Sequence, residues 1–334
     1  MTRVAVDAMG GDRGPEDVVA GALAAASDRI TPVLVGPKGL DTHGLELMEA
    51  PDAIAMDEKP TDAVLAKPQS SLVVACRSVG EGNADAVVSA GNTGAMLAAC
   101  LLELRRLPGV RRPGIAVTIP AQHGPSVLID SGANADARPE DLVQFAHMGV
   151  VFAREILGVR EPKVRLLSIG EEPEKGNHLT LEAHELLASS DLPFAGNTEG
   201  RDLLLTGGDV VVTDGFTGNV ALKLIEGTIR TVLEGIRAEI TTTTRGKLGG
   251  LLIRPAARRL RERLDPDTYG GAYLLGLRGL AVIAHGNSSQ KAITNAISLA
   301  ARGVERDVVG RLAERVGKTV LESATSTTPT PNVR

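Results

Sequence analysis

"DAVVSAGNTGAMLAAC", residues 85–100, sets an apolar run, a glycine-bearing turn and a helix opening end to end. The run before Ser89 carries no alternating polar residue, so both of its faces are expected to be buried, as in a parallel strand. The same grammar returns along the chain in "RVAVDAMGG" (3–11), "TPVLVGP" (31–37), "GIAVTIP" (114–120), "SVLIDSGAN" (126–134), "VRLLSIGEEPE" (164–174), "DVVVTDGFTGN" (209–219) and "LAVIAHGNSS" (280–289). Helical patterns separate most of these runs. Pro15 opens one over 15–27, at a first helical position. Over 217–240, Val220, Ile225, Ile229, Val232, Ile236 and Ile240 recur about once per turn, with Thr217 or Asn219 as the expected cap. The alternation predicts an α/β fold: an open, mostly parallel, doubly wound sheet with helices on both faces. Ligands of such sheets bind beyond the carboxyl ends of the strands. Gly, Asp, Asn and Ser gather at those ends here, so a cleft along one rim is expected.

The chain has 334 residues, 43% of them apolar and only 2% aromatic, with no tryptophan. Its core must be aliphatic. A net charge of −5 argues against nucleic acid as a partner, because phosphate contacts need a basic surface. The single α/β unit is expected to span 1–322, with the basic, apolar segment 241–267 protruding from it. Residues 323–334, rich in Ser, Thr and Pro, read as a disordered tail. Cys76 and Cys100 lie in apolar helical patterns with no histidine beside them, which predicts buried structural thiols. No secretory signal opens the sequence, and no apolar run approaches the ~20 residues that cross a bilayer. A soluble, cytoplasmic chain is expected.

Three turns have the make-up of anion sites, where free N–H groups meet the positive end of a helix. One holds Asn92, Thr93 and Gly94. Another holds Thr217, Gly218 and Asn219, and a third holds Asp7, Gly10 and Gly11, with Arg13 as a nearby cation. The bland alternative is a tight turn that needs glycine for its backbone angles. No G-x-G-x-x-G or Walker A loop is complete, and the histidines show no zinc spacing, so neither cofactor nor metal is expected. In "IGEEPEKGNHLT", Lys175, Gly176 and His178 surround a helix start that Asn177 would cap. An ammonium, an imidazole and a helix N-terminus in one volume suit a reacting centre that gathers negative charge.

Taken in order, "VAVDAMGGD", "VSAGNTGA", "IGEEPEKGNHLT", "FAGNTEGRD", "DGFTGNVALK" and "AHGNSS" resemble the PlsX family, the bacterial phosphate acyltransferases of phospholipid synthesis. The likeness runs from about residue 3 to 300. It implies a fold similar to isocitrate and isopropylmalate dehydrogenases and to phosphotransacetylases, without their cofactor. It also implies a homodimer that transfers a fatty acyl group from acyl carrier protein to inorganic phosphate. The acyl phosphate would pass to the glycerol-3-phosphate acyltransferase of the membrane. On this reading Lys175, Asn177 and His178 are the catalytic candidates, and Asn197 and Asp214 join the substrate rim. The segment around Pro255 reads as an amphipathic helix. Its Arg254, Arg258, Arg259, Arg261 and Arg263 suit anionic lipid or the acidic carrier protein, giving peripheral membrane association, or they pack against a dimer mate. The rival readings are an acyl-CoA-dependent phosphotransacetylase, a decarboxylating dehydrogenase and a non-catalytic carrier or membrane scaffold.

Overall fold

The computed structural model describes residues 1–205, 209–265 and 268–326. Eleven strands form one sheet: β1 (Thr2–Asp7), β2 (Ile30–Gly36), β3 (Glu46–Glu49), β4 (Ala86–Ser89), β5 (Gly114–Ala121), β6 (Gly124–Ile129), β7 (Val164–Ser168), β8 (Phe194–Glu199), β9 (Val210–Val212), β10 (Ala272–Leu275) and β11 (Leu280–Ile283). Their order across the sheet is β3-β2-β1-β4-β11-β10-β5-β6-β9-β7-β8. Every pairing is parallel except three in the middle, β11 with β10, β10 with β5, and β5 with β6. The open, mostly parallel sheet is therefore as the sequence predicts.

The single rim is not. Across the three antiparallel pairings the strand direction reverses, so β6, β9, β7 and β8 run opposite to β1, β2, β3, β4 and β11. Carboxyl ends consequently lie on both edges of the sheet. Apolar runs report burial and carry no information on strand direction, which is why the reversal is invisible in them.

Alternate residues of each strand point to opposite faces. Val4, Val6, Val88, Ile129 and Val212 pack beneath α1 (Gly14–Ala25), α5 (Pro139–Glu155), α9 (Gln290–Glu305) and α10 (Val308–Ser326), with α6 (His178–Ala188) beside β7 and β8. On the other face, Ala5, Val87, Leu274 and Ala281 are covered by α2 (Pro60–Ala66), α3 (Ser71–Gly80) and α4 (Thr93–Glu103). Farther along that face, Leu128, Val211 and Ile119 meet Leu222 of α7 (Gly215–Thr242). Between α4 and α7 the helical layer is interrupted.

α7 leaves the sheet and returns as α8 (Thr244–Leu264), the two joined at Thr243, whose hydroxyl accepts the Gly246 N–H at 3.0 Å. Only Gly215, Gly218 and Leu222 of α7 are buried, and no residue of α8 is. The helix expected around Pro255 thus begins eleven residues earlier, at Thr244, and Pro255 lies inside it. Residues 266–267 of that segment lie outside the described residues, as do 327–334 of the expected tail, while α10 continues to Ser326.

Candidate active site

Where the layer is interrupted, the sheet forms the floor of a cleft of about 360 Å³. Ile115, Val117 and Ile119 of β5 supply the floor together with Ala272 and Ile283, because all five project to this face. One wall comes from the loops after β4 and β11, with Gly91, Thr93, His285 and Gly286. The facing wall is α7, and Ser131 and Gly132, from the loop after β6, lie near its first turns. Loops from oppositely running strands meet here because the hollow runs along β5 from Ile115 to Pro120 and so reaches both of its ends.

The Thr93 wall is a helix N-terminus. Asn92 caps α4, its side-chain oxygen accepting the Ala95 N–H at 3.1 Å, while its amide donates to the Met56 carbonyl at 2.8 Å. The first-turn N–H groups of α4 have no partner within the helix and stand at its positive end. Behind them Asp7 is buried, holding the Ser71 and Ser89 hydroxyls at 2.6 and 2.7 Å. Desolvation raises its pKa, against the lowering effect of those hydroxyls and of the Met9 and Gly10 N–H groups. Ser89 in turn accepts the Gly91 N–H at 3.0 Å. Asp7, Gly10 and Gly11 therefore brace the α4 turn from behind and do not line the cleft.

α7 presents two parallel stripes to the hollow. Asn219, Lys223 and Glu226, spaced four and three residues apart, make a polar stripe, and Leu222, Ile225 and Ile229 make an apolar one beside it. Glu226 accepts from Lys223 at 3.3 Å through one oxygen and faces His285 Nε2 at 3.3 Å through the other. Burial works to raise the Glu226 pKa, but the His285 bond and charge and Lys223 outweigh it, and the carboxyl is held below its ordinary value. The Lys223 ammonium and the His285 imidazole thus flank one carboxylate across the cleft.

Of the expected turns, 92–94 and 217–219 border this cleft, through Thr93 and Asn219. The 217–219 N–H groups are largely spent. Asp214, rather than Thr217 or Asn219, caps α7 by accepting the Thr217 N–H at 2.9 Å, and the Gly218 N–H bonds the Asp214 carbonyl. Lys175, Gly176, Asn177 and His178 stand outside the cleft, beside the edge strands. Asn177 caps α6 as expected, accepting the Thr180 N–H at 3.0 Å. His178 is 90% exposed and meets Glu182 at 3.2 Å. Asn197 is buried, held between the His184 ring and the Glu172 carbonyl. Arg254, Arg258, Arg259, Arg261 and Arg263 are exposed on α8, with Arg258 paired to Glu262. Lys223, Glu226 and His285 escaped sequence reasoning. "AHGNSS" is quotable as a strand end, but only the fold brings it opposite "VALKLIE".

A second buried carboxylate, Asp130, organises the far end. It accepts N–H groups from Ile115, Gly132, Ala133 and Asn134 at 2.7 to 3.2 Å, and burial raises its pKa against these bonds. Cys76 and Cys100 are buried as expected, their sulfurs 3.6 Å apart.

A family model described as fatty acid synthesis protein matches residues 2–311. The phosphate acyltransferase of Heliobacterium modesticaldum is 44% identical over 326 residues, covering 94% of this chain and 97% of its own length. That of Thermobifida fusca is 45% identical, covering 94% and 89%. Among solved structures, a branched-chain phosphotransacylase from Enterococcus faecalis aligns with a TM-score of 0.58 at 16% identity, over 91% of this chain and 99% of that one. The EutD phosphotransacetylase of Staphylococcus aureus aligns at 0.55 and 15% identity, over 91% and 94%. At such identities the two structures speak for the fold alone.

Proposed function

Because the chain belongs to the fatty acid synthesis protein family, that of the phosphate acyltransferases, we propose that it transfers a fatty acyl group from the thioester of acyl carrier protein to inorganic phosphate. The observation that carries this reading is the two-sided cleft: a helix N-terminus, Lys223 and His285 beside a strip of aliphatic side chains. A phosphate dianion suits the first side and an acyl chain the second. No activated serine or cysteine is needed, since phosphate is itself the nucleophile.

The phosphate would take the first-turn N–H groups of α4 and the Lys223 ammonium. Holding it there against a bound thioester converts a bimolecular encounter into a local one, an effect of several kcal/mol. A phosphate oxygen attacks the acyl carbon, the C–S bond breaks, and the sulfur leaves with the electron pair as a thiolate. The Asn219 amide is the donor in reach of the transient oxyanion. A thiol of reference pKa ~8.5 needs little help from an acid in leaving. Glu226 holds the Lys223 ammonium and the His285 ring in place. The exposed arginines of α8 give an acidic carrier or an anionic membrane surface a place to dock, and a homodimer is part of the same reading. No helix among the described residues is long and apolar enough to cross a membrane.

The purified chain is assayed with phosphate and either acyl-carrier-protein or acyl-CoA donors, acyl phosphate being trapped as the hydroxamate. Carrier-dependent product is expected. Product from acyl-CoA alone would turn the reading to a phosphotransacetylase, and no product with either donor would leave a scaffold. Lys223→Ala should lower kcat/KM by on the order of 10- to 100-fold, the scale of about 1.4 to 3 kcal/mol. Lys175→Ala should cost far less.

A further inference from the structure

Resting on the transfer reading, we propose that the apolar stripe of α7 is the acyl-chain subsite, and that Ile225 and Ile229 set how long a chain the enzyme accepts. Leu222, Ile225 and Ile229 face β5 across the cleft, and their spacing of three and four residues keeps them on one side of the helix. Opposite them, Val117 and Pro120 are half-buried, so the strip between strand and helix is apolar on both sides yet still open. Its inner end lies beside Lys223 and Asn219, where the reacting carbon belongs. Its outer end is bordered by Leu264 and Tyr269, at the root of the helical hairpin.

A chain laid in this strip meets Ile225 before Ile229. The two positions are separated by about 6 Å of helix rise, four residues at 1.5 Å each. Bulk introduced at the inner position must therefore cut off shorter chains than bulk at the outer one. Past Ile229 the same line continues through Val232 and Ile236, both about half exposed. The strip ends in the open and has no closed floor, so the unmodified protein is expected to favour long chains without a sharp upper limit.

The chain has no tryptophan, so Ile229→Trp and Ile225→Trp each add bulk and a sole reporter in one step. Activity is measured with short-, medium- and long-chain acyl-carrier-protein donors at saturating phosphate. Ile229→Trp should lower kcat/KM for long chains by roughly ten- to a hundredfold while sparing short ones, the scale at which apolar sites discriminate methylenes. Ile225→Trp should extend the loss to medium chains. Separately, a fatty acid brominated along its chain should quench the tryptophan emission of Ile229→Trp, and an unbrominated one should not. Equal losses at every chain length in both variants, or no quenching by a fatty acid that binds, would overturn the assignment. Ile229→Ala guards against a folding artefact, since it should weaken long-chain donors and leave the short-chain rate intact. Failure of all donors with the unsubstituted chain would instead sink the transfer reading. Quenching without any product would keep the subsite and discard the reaction.

Discussion

At Gly218 the chain has no room for a side chain: a Cβ there would overlap the carbonyl oxygen of Asp130. The contact presses the first turn of α7 onto the loop that Asp130 organises, and Asn219 owes its place in the cleft to it. Gly218→Ala is expected to destabilise by about 1–3 kcal/mol, as overpacking does, and to lower the thermal midpoint together with activity. His147 makes a different kind of prediction. It is buried, accepts from Arg315 at 3.1 Å and lies 4.0 Å from Asp191. Burial, then the Arg315 charge, lowers its pKa from 6.5 to about 4, with Asp191 pulling the other way. The unfolded chain therefore takes up the proton first. Stability is whole above about pH 6.5 and declines as pH falls towards 4, by up to roughly 3 kcal/mol at the low end. Denaturant midpoints at pH 7.5 and pH 5 should differ for the natural chain and converge for His147→Asn, which keeps an acceptor for Arg315 but cannot titrate.

Elements show how a cap can serve both a helix and a ligand. Asn92 holds α4 through its oxygen and the Met56 loop through its amide. Asn92→Asp keeps the capping oxygen but sets a negative charge where phosphate is to bind. Its second oxygen would face the Met56 carbonyl where the amide now donates. We therefore expect a lowered melting temperature together with a phosphate KM raised roughly tenfold or more, whereas Asn92→Ala should cost about 1 kcal/mol of stability without adding a charge. The strand, turn and helix of 85–100 were legible because each part is local: burial in the run, capping chemistry in the turn, periodicity in the helix. α7 was equally legible in extent, running to Thr242. Its partner α8 was legible only around Pro255. Its first turns carry Gly246 and Gly250, where a Cβ at Gly246 would run into the Ile240 carbonyl and one at Gly250 would lie 2.6 Å from Ile240 Cγ2. Close approach of two helices explains those two glycines, and it depends on a partner that the local sequence does not display. The same limit hid Lys223, Glu226 and His285, whose meaning comes from β11 lying beside β10 and not from any spacing along the chain.

Across the whole molecule, the continuous sheet fixes what can move. The cleft spans both strand directions, yet its floor is β5, hydrogen-bonded on both edges to β10 and β6. Rigid halves closing about a flexible linker are excluded by that floor. α7 forms one wall and is buried only at Gly215, Gly218 and Leu222, so its outer turns rest on little but α8. Segments with so few buried contacts open at low free energy. Hydrogen exchange should be fast beyond Ile229 and slow in β5, and phosphate together with a fatty acid should protect Leu222–Ile229 more than any strand. If the strands gained as much protection as α7, this division would be wrong. A beam clamped at one end swings most at its tip, and here the clamp is the turn that carries Asn219. Whatever takes hold of the far end of the hairpin, at Thr243, therefore has mechanical leverage over the chamber that begins at Ile229 and ends at Asn219 farther back along the chain, so docking and loading need not be separate events.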